Sequence, residues 1–100
     1  MENATKKILI IDDEPLNIKL LKTFLKAESY QVIWAKSGVE GLECAIEQLP
    51  DLILLDIMMP DLDGYEVAKC LKEQELTLHI PIIMVTSLND RESRIKALQS

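Results

Sequence analysis

Residues 51–64 read DLILLDIMMPDLDG. The run Leu52–Leu55 is short, unbroken and aliphatic, as a strand of a parallel sheet covered on both faces must be. It ends on Asp56, and a charge set directly behind four apolar residues needs a compensating partner or a function. Pro60 then fixes φ, and Gly64 is expected to allow a backbone conformation that other residues resist. From Gly64 to about Gln74 the spacing of Val67, Ala68 and Leu71 predicts a helix.

The same alternation extends to both sides of this stretch. Ile8–Ile11, Val32–Ala35 and Ile82–Val85 are further aliphatic runs of strand length. After the first, Pro15 suits the opening turn of a helix that carries Ile18, Leu21 and Leu25 on one face. After the second, Ser37-Gly38-Val39-Glu40 has the form of a capping box, Val39, Leu42, Ile46 and Leu49 form a stripe, and Pro50 stops the helix. Asn89 or Asp90 is expected to cap a fourth helix carrying Ile95 and Leu98. Strand and helix in alternation predict an open α/β sheet, whose sites lie at the carboxyl ends of the strands.

Bulk properties narrow the function. A chain of 100 residues suits one domain, and 4% aromatic content leaves the core to aliphatic side chains. The net charge of −6, with no run of Lys or Arg, disfavours nucleic acid and anionic membrane surfaces as partners. No apolar run is long enough to span a bilayer. Cys44 and Cys70 lack a C-x-x-C spacing and the N-terminus lacks the apolar stretch of a secretion signal, so a cytoplasmic setting with reduced thiols is expected. His79, Trp34 and Tyr65 read as loop or packing residues.

The strand ends gather Asp12 and Asp13, then Asp56, then Thr86 and Ser87. Crowded carboxylates raise one another's pKa unless a cation neutralises them, and an all-oxygen set suits Mg²⁺. A structural cation site, or acidic caps on the following helices, are the competing readings. Capping serves for Asp13 and Glu14 ahead of Pro15 but leaves Asp56 unexplained.

Three segments, KILIIDDEP, DLILLDIMMPDLDG and PIIMVTS, resemble in order and spacing the signatures of bacterial response-regulator receiver domains. The resemblance implies a flavodoxin-like doubly wound parallel sheet of order 2-1-3-4-5. This chain would supply 2-1-3-4, so residues 1–100 are expected to form a single, C-terminally incomplete receiver domain that lacks the fifth strand and helix. It further implies that Asp56 accepts a phosphoryl group from a phosphohistidine on a sensor histidine kinase or phosphotransfer protein. Mg²⁺ would be held by Asp13, Asp56 and the Met58 carbonyl, with Asp12 acting through water. Thr86 would contact the phosphoryl group and draw its loop inward, making it the switch.

The family's phosphoryl-contacting lysine follows the fifth strand, and Lys96, on the expected fourth helix, cannot take its place. A protein–protein interaction module without phosphoryl chemistry is therefore the alternative expectation. A haloacid-dehalogenase-type phosphatase would need an acid where Met58 stands. The chain is accordingly expected to be an acceptor with at most weak self-phosphatase activity. Self-association is also expected, through the Pro81–Thr86 strand edge or by exchange of the fourth helix.

Overall fold

The structure is a computed structural model that describes residues 5–85. Its elements run β1 (Lys7–Ile11), α1 (Pro15–Ala27), β2 (Gln31–Ala35), α2 (Gly38–Gln48), β3 (Leu52–Asp56), α3 (Gly64–Lys72) and β4 (Ile82–Val85). The four strands form one parallel sheet in the order β2-β1-β3-β4. Thr86 and the expected fourth helix lie outside the described residues. Among the described residues no helix is long and apolar enough to cross a membrane.

The aliphatic runs become strands because side chains alternate between two covered faces. Leu9 and Ile11 enter one core with Ile53, Leu55, Val67 and Leu71, beneath α2 and α3. Ile8 and Ile10 enter the other with Ile18, Leu25 and Val32, beneath α1. All four of these β1 residues are buried, and each buried aliphatic side chain stabilises the fold by roughly 1.5–3 kcal/mol.

Helix ends follow the sequence in outline and depart from it in detail. Glu14, not Asp13, caps α1, accepting from the Leu16 N–H at 3.5 Å. Ser37 caps α2 by accepting from the Glu40 N–H at 3.1 Å, but the Glu40 carboxylate reaches back to the Lys36 N–H rather than to that of Ser37. The buried line of α2 is Gly38, Gly41 and Ala45, while Val39 and Leu49 of the expected stripe are exposed. Small residues let the helix lie close to the sheet, with Leu42 of the stripe packed at the edge of the core and Val39 left outside it. Leu49 leaves the helix with φ 45°, a left-handed cap ahead of Pro50.

Candidate functional site

The carboxyl ends of β1 and β3 carry the acidic residues. Asp12 is fixed at the end of β1 by its own N–H, which donates to the Ala35 carbonyl at 3.1 Å. Asp56 is the last residue of β3 and pairs in register with Val85 of β4. Asp12, Asp13 and Asp56 each present a carboxylate oxygen, all within 4.8 Å of one another. Asp12 and Asp56 are only 3% and 4% exposed, whereas Asp13 faces solvent. The three carboxylates of the sequence reading are thus brought together.

Their surroundings set their chemistry. Asp12 accepts from the Glu14 N–H at 2.9 Å and from the Asn17 amide at 3.4 Å, both contacts that favour its charged form. Burial outweighs them and raises its pKa. Asp56 accepts from the Met58 N–H at 3.3 Å. Burial, followed by the negative charge of Asp12, pushes its pKa up to about 7. Among the described residues no lysine, arginine or histidine hydrogen-bonds to any of the three. Two buried carboxylates and an exposed third, all oxygen donors, fit a hard divalent ion.

The loop from Ile57 to Asp63 is tied down on several sides. Ile57 donates to the Val85 carbonyl at 3.2 Å and accepts from the Gly64 N–H at 2.7 Å. Met59 is buried in the core under α3, and Asp63 caps α3 by accepting from the Glu66 N–H at 2.9 Å. No glycine among the described residues has positive φ, so Gly64 does not supply the unusual backbone conformation that the sequence suggested. It supplies closeness, because a Cβ there would lie 2.8 Å from the Ile57 Cα. Met58, between the tied ends, is half exposed.

Two polar residues near this site were not picked out from sequence. Asn17 orients Asp12 from the first turn of α1, and an amide one turn behind an acidic pair is a readable signal. Asp61 spans more than twenty residues of sequence to bind the N-terminus of α2, which no local pattern announces.

The model of the response regulator receiver domain matches residues 8–100. The chain belongs to that family. Response regulator PleD of Caulobacter vibrioides is 45% identical over 94 residues, which cover 94% of this chain and 21% of PleD. The polar-differentiation response regulator DivK of Brucella ovis is 44% identical over 94 residues, 92% of this chain and 76% of DivK. The chain therefore spans about a fifth of one such relative and three quarters of the other. Among solved structures, the receiver domain of a sensor histidine kinase from Pseudomonas aeruginosa PAO1 has a magnesium ion coordinated in its active-site cleft. It is 31% identical with a TM-score of 0.81, covering 96% of this chain and 79% of that one. The sheet order, with helices on both faces, is that of the flavodoxin-like receiver fold.

Proposed function

We propose that this receiver domain is the phosphoacceptor of a phosphorelay, with Asp56 as the residue that takes the phosphoryl group. The observation that carries this reading is a buried carboxylate at a strand end, within 4.8 Å of two more, with no basic partner hydrogen-bonded to the set among the described residues. Such a charge destabilises the fold unless a cation or a proton neutralises it, and groups kept at that cost cluster at functional sites.

In the transfer, an Asp56 oxygen forms a bond to phosphorus. The P–N bond of a phosphohistidine, on a sensor histidine kinase or phosphotransfer protein, breaks as it forms, and the electron pair returns to the ring nitrogen. The product is an acyl phosphate on Asp56. The Met58 N–H holds one Asp56 oxygen, leaving the other free to attack. Asp13, Asp56 and the Met58 carbonyl would hold Mg²⁺, with Asp12 acting through water, oriented by Glu14 and Asn17. Bound there, Mg²⁺ would neutralise the crowded carboxylates and supply charge stabilisation to the oxygens of the moving group. The magnesium in the Pseudomonas receiver supports that choice of ion.

Thr86 follows directly on Val85, the register partner of Asp56, and is assigned the switch role by its position in the sequence. The acyl phosphate is lost by slow hydrolysis, so the domain is a switch and not a turnover enzyme. Leu16, Leu20 and Phe24 stand one turn apart on α1, are 51%, 59% and 65% exposed, and begin three residues past Asp13. This stripe is the proposed docking face for the phosphohistidine protein. A cytoplasmic setting is consistent with such a partner, and the net charge of −6 argues against direct contact with nucleic acid.

Incubation with acetyl phosphate and Mg²⁺, followed by intact mass, tests the reading. One added phosphoryl group, lost in Asp56→Asn, is expected. No gain in mass in the parent would favour an interaction module without phosphoryl chemistry.

A further inference from the structure

We infer that Asp61 is a positioning residue for this site: its carboxylate fastens the loop that follows Asp56 to the N-terminus of α2, and so holds Met58 where the metal is bound. The inference rests on the reading of Asp56 as a metal-assisted phosphoacceptor.

Asp61 accepts from the Gly38 N–H at 3.1 Å through one oxygen and from the Val39 N–H at 3.0 Å through the other. These are the first two amides of α2, which the helix itself cannot satisfy, and Ser37 already serves the third. The carboxylate thus sits at the positive end of α2 with two charge-assisted bonds. The same bonds hold its pKa below the usual carboxylate range, so it stays ionised wherever the protein is folded near neutral pH.

An apolar contact reinforces the polar one. A Cβ on Gly38 would lie 2.8 Å from the Leu62 Cβ and 3.0 Å from the Val67 Cγ2, so Gly38 leaves the space into which the loop packs. A larger residue there would push Leu62 off the helix.

The loop needs this anchor at its middle. Its ends are held by Ile57, Gly64 and the Asp63 cap, and Met59 is buried. Met58 itself is half exposed and, among the described residues, has one hydrogen bond, from its N–H to Asp56. Its carbonyl, the proposed metal ligand, is placed only as well as the surrounding loop is. Pro60 stiffens the chain between Met59 and Asp61, so the grip on α2 is transmitted toward Met58. Asp61 therefore acts on the metal through backbone that it does not itself leave.

Asp61→Ala and Asp61→Asn, measured against the parent by Mg²⁺ titration and by the rate of phosphorylation with acetyl phosphate, test this. Asp61→Ala is expected to weaken Mg²⁺ binding by up to about 10-fold, the low end of the cost of losing a group bonded directly to a metal ligand, since Asp61 acts one step further out. Asp61→Asn keeps one acceptor oxygen but sets an NH2 against the second amide, and is expected to recover only part of the loss. Ser37→Ala supplies the control, since it removes the other cap of α2 without touching the loop. It should lower the thermal midpoint and leave Mg²⁺ affinity as in the parent.

Equal Mg²⁺ affinity in Asp61→Ala and the parent overturns the inference alone. So does an equal loss in Ser37→Ala, which would make α2 stability the cause. If the parent binds no Mg²⁺ and takes up no phosphoryl group, the phosphoacceptor reading fails and this inference fails with it. Should Asp61→Ala not fold, the comparison of Asp61→Asn with Ser37→Ala decides: a weakened ion site in the former alone supports the inference, and parental affinity in both overturns it.

Discussion

The Gly64 N–H donates to the Ile57 carbonyl at 2.7 Å, and this bond closes the loop that follows Asp56. It brings the start of α3 so near the end of β3 that a methyl group on Gly64 would press on backbone, 2.8 Å from the Ile57 Cα. Backbone cannot swing aside as a flexible side chain can.

Gly64→Ala is therefore expected to destabilise the fold by about 2 kcal/mol, the scale of overpacking in a rigid environment. Because the strain falls on Asp56 and Ile57, Mg²⁺ affinity should fall along with the denaturation midpoint. Urea unfolding with and without Mg²⁺ measures both. A midpoint equal to that of the parent would show that α3 can shift without cost.

Asp56 also makes stability depend on pH in a particular direction. Its folded pKa is raised to about 7, from the ordinary value of 3.8. Between those values the folded state holds a proton that the unfolded state has released. Stability without metal must then fall as pH rises from about 4 through about 7, since the folded state binds more protons. The raised pKa of Asp12 acts in the same direction. Asp56→Asn removes most of this slope and should stabilise the metal-free protein at pH 8 by roughly 1–4 kcal/mol. Added Mg²⁺ should raise the thermal midpoint of the parent at pH 8 more than at pH 5, and hardly that of the variant. Metal-free melts that are flat from pH 5 to pH 8 would contradict the assignment.

How far the sequence reveals all this depends on the range of each interaction. Leu52–Leu55 and Ile8–Ile11 are legible because a doubly covered parallel strand is apolar throughout. Asp56 is legible because it breaks that pattern. The face of α2 is not, because Gly41 has no side chain to register and Ala45 only a methyl, while Val39 registers strongly and stays in solvent. The part played by Gly64 depends on how near two elements approach, which spacing does not encode. Asp61 is hidden for a related reason: it reads as one polar loop residue among several until the fold carries it to Gly38. The role of Thr86 rests on resemblance and lies outside the described residues.

The C-terminus of α1 offers a gain in stability. Ser29 has φ 71°, its N–H donates to the Lys26 carbonyl at 3.0 Å, and the Tyr30 N–H donates to the Leu25 carbonyl at 3.1 Å. This is the paired-bond ending at which glycine is preferred, since a Cβ is strained at positive φ. Ser29→Gly should stabilise the protein by about 1 kcal/mol, raising the thermal midpoint by a few degrees, with no change in phosphorylation rate. A lower midpoint would show that the extra freedom of glycine in the unfolded chain outweighs the relief of strain.

The exposed line on α1 separates docking from chemistry. Leu20 and Phe24 point away from the cores, so replacing either by a polar residue removes little buried surface. Surface changes of that kind alter stability by no more than about 0.5 kcal/mol. Acetyl phosphate is small and needs only the cleft around Asp56, whereas a phosphohistidine protein must seat itself beside that cleft before transfer. Leu20→Asp is therefore expected to leave phosphorylation by acetyl phosphate unchanged. Transfer from a phosphorylated histidine phosphotransfer domain should slow by about 10-fold or more, for the loss of one central apolar contact. The loss should appear in the concentration of donor needed for half-maximal rate, since the cleft is untouched. If both donors slow equally, Leu20 acts through the position of α1 and Asp13. If neither slows, the donor approaches from another side and the stripe has another use.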